Sequence, residues 1–144
     1  MMKTRIIVKD VIAPLRHLLK KMPENIIPIS ICGKAPDWYT GLQYKKLAPK
    51  YDFFMEWKRT HDNDYYVRCY KDQVTDKLDV VRVLSELHMK IPSEFREQMY
   101  EPVWLSSKWN IALICYEKPS DFCHRHLVAE WLRDNGYVCT ELRL

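Results

Sequence analysis

The sequence predicts an α/β fold: a small three-layer, parallel or mostly parallel sheet that closes with a C-terminal βαβ unit. It is Rossmann-like in plan but lacks a Gly-rich loop. Three observations predict this. The run Trp109 to Tyr116 is apolar almost throughout, as a strand covered on both faces is. Leu127, Val128, Trp131 and Leu132 then recur at helical spacing before Asn135-Gly136, and Tyr137 to Leu142 reads as a further strand. Strand, helix, Gly and strand in that order are the signature of a parallel crossover. Finally, the chain has only three glycines, so Walker-type and dinucleotide-type phosphate cradles are excluded.

The remaining elements follow in chain order. Thr4 to Val11 is β-branched and reads as a strand or an extended arm. Pro14 to Met22 carries Leu15, Leu18, Leu19 and Met22 at helical spacing, with Arg16, Lys20 and Lys21 outside the stripe. Ile26 to Cys32 reads as a buried strand despite Pro28 near its start, and Gly33 to Tyr51 as a long irregular loop of the kind that often carries function. Phe53, Phe54 and Trp57 share one helical face. Asn63 or Asp64 caps a following helix that carries Tyr65, Tyr66, Cys69, Tyr70, Val74 and Leu78, and Asp79 to Met89 repeats the pattern. Ile91 to Lys108 is punctuated by proline and has no clear assignment. The C-terminal helix runs from Asp121 to Asn135, opened by Pro119-Ser120-Asp121.

Composition sets the frame. A chain of 144 residues with 47% apolar content can bury one core, so a single domain over residues 1–144 is expected. The net charge of +4 is compatible with an anionic ligand, but most mildly basic domains are simply soluble. Five cysteines, no secretory h-region and no long apolar span point to a cytoplasmic protein with free thiols and no membrane contact.

The chemistry is concentrated in Cys115-Tyr-Glu117-Lys118-Pro-Ser-Asp-Phe-Cys123-His124-Arg125-His126, at the end of a strand and the start of a helix. In parallel sheets ligands sit beyond the carboxyl ends of strands, where helix N-termini offer unpaired N–H groups. The loop that begins Cys32-Gly33-Lys34 can approach the same edge.

Each residue has a functional and a structural reading. Cys115 is a nucleophile with His124 as its base, or a small core residue. Glu117 is a general acid/base, or the ion-pair partner of Arg125 or Lys118. Arg125 grips an anion through its planar fork, or braces the loop through Glu117. Cys123, at the helix start, stands where a thiolate is favoured. Lys34, Tyr44, Lys45 and Lys46 form the opposite wall of an anion pocket, or a solvated face.

His126 and Glu130 are one turn apart and pair on the surface. Tyr65, Tyr66 and Tyr70 beside Arg68 and Lys71 suggest either base stacking or a helix core, and the helical spacing favours the core. A zinc site from Cys115, Cys123, His124 and His126 lacks the usual ligand spacing, so neither a metal nor another cofactor is expected. A tyrosine-phosphatase loop is excluded, because the position six residues after Cys115 is Asp121.

The segment from Leu113 to Leu132, with Asn135-Gly136-Tyr137, resembles the family named domain of unknown function 488, whose pattern is a strand ending in Cys-x-Glu and then Cys-His-Arg at a helix start. Ser30 to Pro36 and Tyr44 to Pro49 are similar to short bacterial and phage-borne members, so the resemblance runs from about residue 26 to the C-terminus. It implies the α/β fold and places the site. The family's Asp-Val-Arg stretch has no clear counterpart here, and Lys34 replaces its arginine only loosely.

Three functions are in view. The first is an enzyme acting on a small anionic, nucleotide-like or nucleic-acid-derived ligand, with Glu117, His124 and Cys115 as the reactive set and Arg125, Lys34, Lys118, Cys123 and Tyr44 binding. The second is a noncatalytic module that sequesters such a ligand. The third is a nucleic-acid- or protein-binding domain in which the motif braces the loop. The sequence names no protein partner.

Overall fold

A computed structural model describes residues 5–10, 26–37, 39–90, 110–115 and 122–141. The helix expected over Pro14 to Met22, the segment Ile91 to Lys108, and Glu117 and Lys118 lie outside the described residues.

The fold is α/β, built on a parallel five-stranded sheet of β1 (Arg5–Asp10), β2 (Ile26–Ser30), β3 (Leu42–Gln43), β4 (Asn110–Cys115) and β5 (Val138–Glu141). Their order across the sheet is β3-β2-β4-β1-β5, and every pairing is parallel. The expected extended segment at the N-terminus is thus a strand, paired on both sides. β1 lies between β4 and β5, so the C-terminal crossover steps over one strand instead of joining neighbours.

β4 has the central place that its apolar run predicts. Ile111, Leu113 and Cys115 join the main core, and Ala112 and Ile114, which alternate with them, are fully buried as well. Both faces of the strand are covered, as in a layered α/β fold. Full burial of an Ile or Leu side chain contributes roughly 1.5–3 kcal/mol relative to exposure. Pro28, which cannot donate to a ladder, stands just before the two residues of β2 that β3 pairs, Ile29 and Ser30.

The helices are α1 (Tyr51–Thr60), α2 (Asn63–Gln73), α3 (Val80–Lys90) and α4 (His124–Asp134). α2 starts one residue earlier than expected: its cap is Asp62, whose Oδ1 accepts from the Tyr65 N–H at 3.1 Å. It also ends earlier, at Gln73, with Thr75–Lys77 forming a 3-10 turn before α3. Tyr66 and Tyr70 lie in the core, as the helical spacing favours.

The segment Gly33 to Tyr51 is less irregular than expected. It holds β3 and a 3-10 turn at Lys45–Leu47, and it buries Tyr39, Tyr44, Leu47 and Ala48. Gly41 is required there, because a Cβ would lie 2.7 Å from the Tyr39 hydroxyl, which donates to the Leu42 carbonyl.

α4 packs against β1, β4 and β5 and closes as the Asn-Gly pair predicts. Gly136 adopts φ 88°, its N–H reaches the Arg133 carbonyl at 3.0 Å, and the Tyr137 N–H reaches Leu132 at 3.0 Å. These two bonds satisfy carbonyls that the helix end would otherwise orphan.

Candidate functional site

The strand order creates a crevice between β2 and β4. The chain leaves β2 toward β3 on one side and leaves β4 toward β5 on the other, so the carboxyl ends of β2 and β4 flank a topological switch point. Open α/β sheets bind ligands at such points. β2 leads directly into Ile31 and Cys32, and β4 ends on Cys115.

α4 brings the other groups to this crevice. It begins at His124, three residues later than its expected opening, with Cys123 at the cap in an extended conformation of φ −152° and ψ 143°. Its buried face is His124, Arg125, Val128, Ala129 and Leu132, so polar side chains occupy the first turn of an otherwise apolar stripe. Leu127 and Trp131, expected within that stripe, are half-buried. Aromatic packing fixes the entry: the Phe122 ring meets Tyr66 edge-on at 4.9 Å and lies 5.6 Å from Trp57.

The thiols and the imidazole meet here. The Cys123 Sγ lies 3.8 Å from His124 Nδ1, and the Cys115 Sγ lies 4.0 Å from Nδ1 and 3.8 Å from Nε2. His124 Nε2 stands 2.9 Å from the Ile31 carbonyl, which can only accept, so Nε2 carries the hydrogen. Cys115, Cys123 and His124 form a buried group whose donor atoms all lie within 4.8 Å of one another, a spacing that can hold a metal ion. Cys32 also hydrogen-bonds Cys115. None of the five cysteines is joined in a disulfide.

Electrostatics separate the two thiols. Burial, reinforced by hydrogen bonds with Cys123 and Cys32, pushes the Cys115 thiol well above its ordinary range. The Cys123 thiol is pulled far down, first by the hydrogen bond from Cys115 and then, against burial, by His124 and the Arg125 backbone N–H. Burial alone would lower the His124 imidazole, but the bond and charge of Cys123 carry it above its usual value. The surroundings therefore favour thiolate character at Cys123 over Cys115.

The pattern of a described family, DUF488-N3a, the active DUF488-N3 subclade, matches residues 12–136. The chain belongs to this family. No curated protein and no solved structure matches it.

Within this DUF488-N3a chain the sequence-derived site residues do not all converge. Cys115, Cys123 and His124 come together, and Arg125 is the next residue of the same helical turn, completely buried. Lys34 follows Cys32 by two residues but is exposed. Tyr44 has another engagement, since its hydroxyl donates to Glu86 at 2.7 Å, and Lys46 meets the same carboxylate at 2.7 Å. His126 is exposed, and Glu130 pairs with Lys71 at 3.8 Å rather than being set aside for His126.

The Ile31 carbonyl, whose position no side-chain pattern encodes, carried no role in the sequence reading, and Tyr70, read there as a core or stacking residue, was not tied to this site. The Tyr70 ring lies 5.9 Å from His124, and its hydroxyl donates to the Leu47 carbonyl at 2.6 Å. Tyr70 also lines a cleft of about 180 Å³ together with Lys71, Leu127 and Trp131.

Proposed function

We propose that this DUF488-N3a member binds a small anionic, nucleotide-like ligand in the crevice between β2 and β4 and processes it. Arg125 grips the anion, and Lys34 and Lys118 supply a basic rim. Cys115, Cys123 and His124 are the reactive groups beside it, with Glu117 as the general acid/base. One observation supports the reading: two thiols and an imidazole from the end of β4 and the start of α4 meet beside a topological switch point, with the buried Arg125 the next residue of the helix. The description of the family as an active subclade supports it. Five free thiols suit a reducing, cytoplasmic setting. No helix among the described residues is long and apolar enough to cross a membrane.

A second reading rests on the complete enclosure of Arg125. In that reading the guanidinium braces the loop, and the chain is a noncatalytic ligand-sequestering module or a nucleic-acid- or protein-binding one. Native mass spectrometry of protein purified without added ligand separates the two, comparing wild type with Arg125→Lys, which keeps the charge but removes the bidentate fork. A co-purifying anion lost in a folded Arg125→Lys variant supports the first reading. Bare protein in both cases favours the second. Glu117→Gln then tests processing: retained binding without turnover is expected of a general acid/base.

A further inference from the structure

We propose that Cys115 Sγ, Cys123 Sγ and His124 Nδ1 together bind one thiophilic divalent cation of the Zn²⁺ class, leaving a fourth coordination position open. The inference rests on the ligand-processing reading above, because it names the cofactor of that same crevice.

The donor atoms stand close to coordination geometry. Bonds of about 2.3 Å to sulfur and about 2.0 Å to nitrogen place tetrahedral S and N ligands roughly 3.5 Å apart. The Cys123 Sγ lies 3.8 Å from Nδ1 and needs to close by only a few tenths of an ångström, whereas the Cys115 Sγ, 4.0 Å from Nδ1 and 3.8 Å from Nε2, must swing toward the Nδ1 side to complete the set. The three ligands sit on two rigid elements, the end of β4 and the start of α4, and all are buried.

Each ligand also has its own outer partner. The Ile31 carbonyl takes the Nε2 hydrogen of His124, which leaves the lone pair on Nδ1, the nitrogen beside Cys123. The Arg125 backbone N–H bonds Cys123, and the Cys32 thiol bonds Cys115. Outer hydrogen bonds of this kind orient metal ligands, and a carbonyl behind the far nitrogen of a ligating histidine is a recurrent arrangement.

Linear spacing argued against a metal, because Cys123 and His124 are adjacent. The turn into α4 resolves this. The extended Cys123 and the helical His124 aim their side chains at a common point, and Cys115 arrives from β4. Two cysteines and one histidine with an open position form a catalytic rather than a closed structural set. At the open position a water or a ligand oxygen or nitrogen is polarised, with Arg125 one residue beyond.

The test uses Co²⁺ as probe on the reduced, chelator-treated full chain with no ligand added. One equivalent bound is expected, with thiolate-to-cobalt charge-transfer absorption and the intense visible bands of a tetrahedral site, all displaced by one equivalent of Zn²⁺. Cys32→Ser should keep the stoichiometry and weaken binding by about 10–100-fold, as loss of an outer partner does. Cys123→Ser should weaken the charge-transfer band, since Cys115 is then the one thiolate left in the set. Because that variant removes a buried group, X-ray absorption at the zinc edge of the wild-type chain gives a second readout, with two sulfurs and one imidazole expected.

A weak octahedral cobalt spectrum in the wild type, or a zinc shell without two sulfurs, overturns the proposal. A weak octahedral spectrum in protein that still shows Arg125-dependent anion capture would sink the cation while leaving the ligand reading intact, and a tetrahedral site in protein that captures no anion would do the reverse.

Discussion

Where β4 ends and α4 begins, the side chains of Cys115, Cys123, His124 and Arg125 are all buried, whereas along α3 Lys46 and Glu86 pair where water reaches both. Similar chemistry thus has opposite physical weight in the two regions. An exposed pair exchanges one hydrated state for another and contributes about 0–1 kcal/mol. A buried polar group has surrendered its water, so removing the partners that replace that water exposes the full desolvation cost. Each region also holds a buried tyrosine. Tyr70 directs its hydroxyl to a backbone carbonyl inside the core, and Tyr44 directs its own outward to the Glu86 carboxylate.

The contrast breaks most visibly at Arg125. Arg125→Ala should cost about 3–5 kcal/mol in urea unfolding, since it empties a fully enclosed charged site. A loss under about 1 kcal/mol would mean that water already reaches the guanidinium. Tyr70→Phe comes next. It leaves the Leu47 carbonyl without its 2.6 Å donor and should cost about 1–3 kcal/mol, read as a lower thermal midpoint.

The smallest effect is expected at Glu86. Hydrogen bonds from Lys46 and then Tyr44 hold its carboxyl below the ordinary value of 4.5. Its contribution is therefore fully present above the unfolded-state value and is lost as pH falls through the lower folded-state value. Comparing wild type with Glu86→Gln across that window should show a difference that fades toward low pH and shrinks in high salt. A difference that grew on acidification would place the carboxyl in the wrong charge state.

The two regions were not equally legible in the sequence. β4 and α4 announced themselves, the strand by an unbroken apolar run and the helix by its apolar repeat and its Asn135-Gly136 stop. The start of α4 did not, because Ser120 and Asp121 are good capping residues and the aromatic anchoring of Phe122 is invisible without α1 and α2. The α2 cap was misplaced for a simpler reason, since Asp62, Asn63 and Asp64 are all competent to cap. β3 has two residues, too few for any periodicity to show.

Within the site, the grouping of Cys115, Cys123 and His124 was legible because strand end and helix start are close in sequence. The approach of Cys32 followed from the carboxyl-edge argument. The balance between the two thiols was not legible, because it depends on which sulfur receives a backbone N–H and which is held up chiefly by burial. The partner of the Tyr44 hydroxyl was not legible either, because Glu86 lies 42 residues away on α3.

The position of β1 bears on how the molecule assembles. Both of its neighbours, β4 and β5, come from residues 110–141, so β1, the first of the described strands, lacks both of its partners until that stretch exists. Pairings this distant in sequence carry a loop-closure cost before they return any contact energy, which makes for slow folding. During synthesis β1 must wait, and its unpaired edges are then open to other chains. The central strand and the thiol crevice are completed by the same late event, the arrival of β4 and α4, so partly folded chains carry neither.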